Sequence, residues 1–375
     1  MLVTRVTDGG VLVSRSRPTS RDVARLAGVS RTTVSLVLNN VPDVKISPET
    51  RQRVLDAARQ LNYYPDISAR RLVSGKTHTV ALVWHRGPDS TYRDAFLPGL
   101  LQGITRAARH YGYHLLFRPI DPDDPDDVYV ELARGHHTDG LVLSGPRADD
   151  PHLLDLYQDG FPLVLHGQLP GTDIPSVDVD NVRGAIQAVR HLLALGHRRI
   201  GMITNAPLAY ISSRQRLDGY RQALEEAGLP YDPELVRFGD FDEESGREAM
   251  LSLLDLPTPP TGIFVASDMV AIGALRAILD QGLRVPEDIA IVGFDDIAAA
   301  RFVSPPLTTI RVPAFALGWT AGELLIRIIE HDRPEQTQVL LETDLIVRRS
   351  CGAKEGGEKQ GRTKKGSEQV RRRGD

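Results

Sequence analysis

The chain has 375 residues, more than one typical domain carries, so two or three compact units are expected. Its net charge of −4 is uneven: residues 1–79 hold thirteen Lys/Arg against six Asp/Glu, residues 351–375 hold eight against four, and the stretch between them is acidic. A single cysteine, Cys351, excludes an intrachain disulfide and fits a reducing cytoplasm, and no apolar run reaches the roughly 18 residues of a membrane span.

In chain order, residues 1–18 lack the apolar stretch of a signal peptide and read as a flexible arm. Two short helical patterns then flank Ala27-Gly28-Val29. In the first, Thr19 and Ser20 are cap residues, Asp22 follows in the first turn, and Val23, Ala24, Leu26 and Ala27 supply the apolar face. Gly28 allows the positive φ of a tight turn between helices. Ser30 caps a second helix, Arg31 to Leu38, on which Val34, Val37 and Leu38 can bury together. Arg31, Thr32, Thr33 and Leu36 fall on other faces. This is a helix-turn-helix, whose second helix enters the DNA major groove. Asn39 to Asp43 is turn material. Ser47 caps a third helix with Pro48 and Glu49 in its first turn, and Val54, Leu55, Ala58 and Leu61 form its inner stripe. Residues 19–63 therefore read as an all-α helix-turn-helix headpiece, and 64–78 as a short basic linker interrupted by Pro65.

The run DVARLAGVSRTTVSLVLN, followed by SPETRQRVLDAARQLNYYPDISARRL, resembles the lactose-repressor (LacI/GalR) family of transcriptional regulators. The likeness continues through the third helix and a Tyr-Pro hinge to Ala-Arg-Arg-Leu. It implies that 64–78 is a hinge that folds on operator DNA, with the hinges of a homodimer meeting at the minor groove of an inverted repeat. Leu72 stands where the family's wedge leucine opens the central base step, beside Arg70 and Arg71. Base reading falls to Arg31, Thr32 and Leu36 with Thr33 nearby, since Arg can bind guanine O6 and N7 together and Thr can meet a base edge or a thymine methyl. Thr19, Arg21, Ser30 and Ser35 are expected on phosphates, where they position without reading sequence. Leu36 stands where some relatives have Arg, so the half-site is expected to differ from theirs. Ser20 replaces a common Ile or Leu, and the 39–43 loop is longer than usual.

From Thr79 the pattern becomes short β-rich runs alternating with amphipathic helices. Strands are expected at 80–84, 114–117, 140–144, 162–166, 176–180, 199–204, 262–267 and 289–294, and helices at 97–112, 182–196, 216–228 and 271–282. That alternation implies parallel sheets with right-handed crossovers. The pieces DNVRGAIQAVRHLLALGHRRIGMIT, VASDMVAIGALRAILDQG, VPEDIAIVGFDD and PPLTTIRVP resemble the family's ligand-binding core. The resemblance implies an α/β periplasmic-binding-protein type I core over 79–350. Its two doubly wound parallel-sheet lobes hold the effector between them, and the chain crosses between lobes three times. Residues 351–375, Gly-rich and charged, read as a disordered basic tail that begins at Cys351.

A cleft between lobes is the default pocket. By the resemblance, Arg216 is the pocket arginine, Asp268 the pocket aspartate and Phe241 the aromatic cover, with Asp242 next to it. Phe96 faces them from the opposite lobe, and Ser212 is a further contact. Arg216 and Asp268 also fit a structural ion pair, and Phe96 and Phe241 also fit the core. Gln168, where many relatives carry an Asp-containing pair, marks a departure in the effector, for which a hydroxyl-rich small molecule such as a sugar is favoured. No catalytic, metal or cofactor site is expected. His136-His137 with Asp139 lacks a third ligand, Asp121 to Asp127 lacks the Gly and closing Glu of a calcium loop, and Asp295-Asp296 has no nucleophile motif beside it. The expected function is a sequence-specific DNA-binding transcriptional regulator, acting as a repressor under a small-molecule effector. The rivals are a solute-binding protein of a transport system and an enzyme with an accessory DNA domain.

Overall fold

The computed structural model describes residues 18–39, 44–64, 75–85, 91, 94–121, 124–125, 127–332 and 334–353. Most of the N-terminal arm, the hinge residues Arg70, Arg71 and Leu72, the 40–43 loop and the tail from 354 onward lie outside them. The chain forms two compact units, Met1–Thr77 and His78–Asp375.

In the first unit, helices α1 (Ser20–Ala27), α2 (Arg31–Leu38) and α3 (Pro48–Gln60) close on one small core. The Asp22 carboxylate accepts from the Thr19 backbone N–H at 2.9 Å and the Thr19 hydroxyl at 2.7 Å, which fixes the start of α1. Gly28 ends α1 at φ 63°, the left-handed region that turns the chain into α2. Val23, Ala24 and Ala27 bury with Val34, Val37, Val54, Ala57 and Ala58. Two sequence expectations fail here. Leu26 and Leu55 face solvent, at 48 % and 36 % exposure. Each lies about 100° round its helix from the centre of the buried arc, so the small Ala27 and Ala57 take the inner positions.

The second unit contains two six-stranded sheets. The first is built from β1 (Thr79–Trp84), β2 (His114–Pro119), β3 (Gly140–Ser144), β4 (Leu163–His166), β5 (Ser176–Val179) and β11 (Gln338–Leu341), in the order β11-β5-β4-β3-β1-β2. The second is built from β6 (Ile200–Ile203), β7 (Val236–Arg237), β8 (Gly262–Val265), β9 (Ala290–Asp295), β10 (Thr308–Arg311) and β12 (Asp344–Ile346), in the order β12-β10-β9-β8-β6-β7. All pairings are parallel except β10 with β12. The chain thus crosses between lobes after β5, after β10 and between β11 and β12.

Helices α4 (Leu97–His110), α5 (Val128–Arg134), α6 (Leu153–Gln158), α7 (Asn181–Ala194), α8 (Ile211–Glu226), α9 (Glu243–Leu254), α10 (Asp268–Asp280) and α11 (Ala314–Ile329) cover the sheets. α11 returns the chain to the first lobe by lying against α4. A Cβ at Gly318 would stand 2.1 Å from the Leu100 carbonyl oxygen, so only glycine permits that approach. α8 starts at Ile211 and α10 at Asp268, five and three residues before the sequence pattern places them. Cys351, expected at the start of the tail, is a core residue: it is 1 % exposed, and its Sγ accepts from the Thr308 hydroxyl at 3.1 Å.

Candidate functional site

In both sheets residues at or beyond the C-terminal strand ends line one cavity between the lobes. Trp84 and His85 leave β1, Ser144 ends β3, His166 ends β4, and Asp178 lies in β5. From the other side come Asn205 after β6, Ser267 after β8 and Asp295 at the end of β9. With its mouth the cavity occupies about 920 Å³. Ligands of open α/β sheets bind at such strand ends, because loops there are free to carry polar groups while the strands stay packed.

Of the expected effector residues, Phe96, Gln168, Ser212, Arg216 and Phe241 line this cavity. Asp268 and Asp242 do not. Asp268 begins α10 and is fully buried. Its carboxyl accepts from the Thr309 hydroxyl at 2.6 Å and from the Ile297 N–H at 3.0 Å. Burial, with Asp295 nearby, holds it well above the usual carboxylate range. It anchors the segment that presents Asp295 and Ile297 to the cavity, and Ser267 and Met269 form the wall on either side of it. Asp242 caps α9, accepting from the Ser245 N–H at 2.8 Å.

Arg216, on α8, is 8 % exposed. It donates from Nε to Asn181 Oδ1 at 2.9 Å and from Nη1 to the Ala266 carbonyl at 2.5 Å, and its guanidinium lies 3.8 Å from the Phe294 ring centroid. The carboxylate nearest to it is that of Asp295, at 3.9 Å; the pair with Asp268 does not form. Asn181 extends this network. Its Nδ2 donates to Asp178 at 3.1 Å and to Gln215 at 3.0 Å, and Gln215 donates to Gln168 at 3.0 Å. Asp178 also accepts from the Val179 N–H at 2.7 Å, and burial pushes its carboxyl up to about 6. One polar chain therefore runs from the first lobe into the second: Gln168, Asp178 and Arg216 line the cavity, and Asn181 and Gln215 join them from behind the lining.

Aromatic side chains line the same cavity. Phe96 and His166 stack at 5.8 Å with 16° between planes, and Tyr210 meets Phe241 edge-on at 5.1 Å. Phe241 holds φ 62°, a left-handed conformation costly for a large side chain. A strap joins the lobes beside it: the Tyr210 hydroxyl donates to the His85 carbonyl at 3.0 Å, and the Ala148 N–H to the Ala209 carbonyl at 3.2 Å.

On the helical unit, Arg31, Thr32, Ser35 and Arg21 are exposed, and Thr33 and Leu36 are half-buried. Ser30 accepts from the Thr33 N–H at 3.0 Å and so caps α2. Thr19 is tied to Asp22. Elsewhere, Asp139 accepts from the His78 N–H at 2.7 Å, and among the described residues no cluster of three or more metal-ligating side chains forms. Asp296 is enclosed by Arg311, Arg348 and Arg301, which hold its carboxyl below the usual range against the cost of burial. Sequence reasoning missed Trp84, His85, His166, Asp178, Asn205, Tyr210 and Asp295 as lining residues; all but Tyr210, which precedes α8, share a position near or just past the end of an apolar strand run.

A helix-turn-helix unit joined in one chain to a two-lobed domain with a polar, aromatic-flanked cavity defines a ligand-responsive DNA-binding regulator. Comparison with known proteins makes that specific. Residues 19–66 match the model for bacterial regulatory proteins of the lacI family, and residues 189–351 that of the periplasmic binding protein-like domain. The HTH-type transcriptional regulator CelR of Thermobifida fusca is 38 % identical over 339 residues, covering 90 % of this chain and 99 % of its own. The HTH-type transcriptional repressor CytR of Escherichia coli (strain K12) is 36 % identical over 337 residues, covering 89 % and 96 %. Among solved structures, the CelR–cellobiose complex superposes with a TM-score of 0.70 at 36 % identity, covering 89 % of this chain and all of that one. The lac repressor dimer bound to operator and the anti-inducer ONPF superposes at 0.80 with 28 % identity, covering 90 % and 100 %. The chain belongs to the LacI family: it is a sequence-specific DNA-binding transcriptional regulator, not a transport solute-binding protein. Among the described residues no helix is long and apolar enough to cross a membrane.

Proposed function

We propose that this regulator is a cytoplasmic repressor that grips an inverted-repeat operator as a homodimer and takes a sugar as its effector. The observation that carries the effector class is the wall of the cavity. Polar groups of Gln168, Asp178 and Arg216, tied together through Asn181 and Gln215 behind them, share that wall with two aromatic pairs, Phe96 with His166 and Tyr210 with Phe241. Hydroxyls match the chain, and the apolar faces of a pyranose match the rings. The cellobiose in the CelR complex supports the same class.

The effector acts by selecting one state of a two-state lobe equilibrium, with a coupling of ~1–3 kcal/mol to operator affinity. Arg31, Thr32, Thr33 and Leu36 read bases, Thr19, Arg21, Ser30 and Ser35 meet phosphates, and Arg70, Arg71 and Leu72 engage the minor groove. Selection of bound genomic fragments with purified protein tests the DNA half of this reading. An inverted repeat is the expected result, and binding with no preference over random duplex would refute it. Titration calorimetry with neutral sugars and nucleosides tests the effector half, where a sugar is expected to bind without being converted; a nucleoside as the sole binder would refute it.

A further inference from the structure

The charge of the cavity carries a further inference, which rests on the sugar reading just given. The lining includes three carboxylates, those of Asp94, Asp178 and Asp295, and among the described residues one guanidinium, that of Arg216. Asp94 caps α4, accepting from the Phe96 and Leu97 N–H groups at 2.8 and 3.0 Å. Arg216 is engaged by Asn181, by the Ala266 carbonyl and, at 3.9 Å, by Asp295. Its charge is thereby matched within the protein. His85, the imidazole at the β1 end of the cavity, is held toward its neutral form by burial. Asp178 is different in kind. It is 7 % exposed, lies deep at the end of β5, and is the carboxylate through which the first lobe enters the polar chain.

We infer that the cleft selects against anionic sugars, and that Asp178 is the specificity-determining residue that does so. A carboxylate or phosphate on the effector would bring a further negative charge beside Asp178 and Asp295, of which Asp178 is largely shielded from bulk solvent. Like charges a few ångströms apart at low effective dielectric repel strongly. A neutral sugar instead offers hydroxyl donors, which the remaining lone pairs of Asp178 can accept. The effector is therefore an uncharged sugar, and uronic acids and sugar phosphates are rejected.

The test uses the full chain and matched ligand pairs. Titration calorimetry with cellobiose, maltose, sucrose, melibiose and trehalose first identifies a neutral binder. The same sugar is then titrated with one ring's hydroxymethyl oxidised to a carboxylate, first on one ring and then on the other. At least one acid should bind about a hundredfold or more weakly. In Asp178→Asn that gap should narrow to about tenfold or less, even though the neutral sugar itself binds more weakly for loss of a carboxylate acceptor. Asp178→Ser removes the same charge and serves as the second variant. Acids that bind as well as the neutral parent would overturn the inference and leave the sugar reading standing. A gap unchanged in both variants would overturn the assignment to Asp178. No binding by any neutral sugar would bring down the sugar reading itself, and this inference with it.

Discussion

The elevated Asp178 carboxyl makes a prediction that needs no effector. Its proton is held more tightly in the folded protein than in the unfolded chain, with the midpoint moving from 3.8 to about 6. At ~1.36 kcal/mol per pH unit, that difference corresponds to about 3 kcal/mol. The sign follows from proton binding. Between the two midpoints the folded state carries the proton and the unfolded state has lost it, so stability falls as pH rises from about 4 to about 6 and is level outside that window. Asp178→Asn is nearly isosteric and does not titrate. Any cost it brings, such as its amide facing that of Asn181, is independent of pH. The measurement is chemical denaturation of the His78–Asp375 transition for wild type and variant at intervals from about pH 4 to about pH 7. Titrating groups that do not interact with Asp178 cancel in the difference. Wild-type stability relative to the variant should drop by roughly 2.4 kcal/mol across this range, which begins just above the unfolded midpoint. A flat difference, or one that rises with pH, would refute the argument that burial governs this carboxyl.

Three further perturbations test other parts of the molecule. Tyr210→Phe removes the hydroxyl that bridges to the His85 carbonyl and leaves the ring against Phe241. Losing one such bond should weaken effector binding by about 0.5–1.5 kcal/mol, and calorimetry showing no loss would remove the strap from the closure mechanism. Arg31→Ala should relax one operator position by about 1–3 kcal/mol without unfolding the headpiece, since Arg31 is exposed and Ser30 makes the cap. An unchanged base preference would take Arg31 out of the reading set. Leu72→Ala should weaken operator binding more than nonspecific binding, because an inserted wedge gains its energy only at a step that opens. Equal losses on both DNAs in a gel-shift comparison would count against that role.

The parts legible in the sequence were those where local pattern and tertiary context agree. The cap and turn residues Thr19, Gly28, Ser30 and Ser47 placed the three headpiece helices, because capping is decided within a few residues. The long apolar runs placed β1, β3 and β9 for a similar reason, since strands buried on both faces need little context. α6, with six residues, and β7, with two, were illegible because neither is long enough to show a period. α11 carries apolar residues on most faces, since it packs against α4 and the first sheet together, so no polar face marked it. Of the cavity lining, Arg216 and Phe241 were reached through the motifs around them. Asp268 was misplaced because sequence likeness fixes a residue's position on a helix and not which way its first turn tips. Here Thr309 and Ile297 offer donors on the inner side and the carboxyl turns to them.

The course of the chain bears on how occupancy of the cleft could reach the rest of the protein. Two of the three crossings between lobes form part of the cavity wall. Asp178 and Val179 precede the first, and Val312 and Leu317 bracket the second. Asn181, the first residue of α7, is 2 % exposed and bonds Asp178 on one side and Arg216 on the other. A ligand that meets Asp178 and Arg216 therefore acts on both ends of a short buried span that includes a crossing. A change in lobe angle must either carry Asn181 with it or break those bonds, and a buried amide left unmatched costs about 1–3 kcal/mol. That is the same size as a typical coupling between two binding sites. On the proposed reading, keeping or breaking these bonds is what would separate the two lobe states.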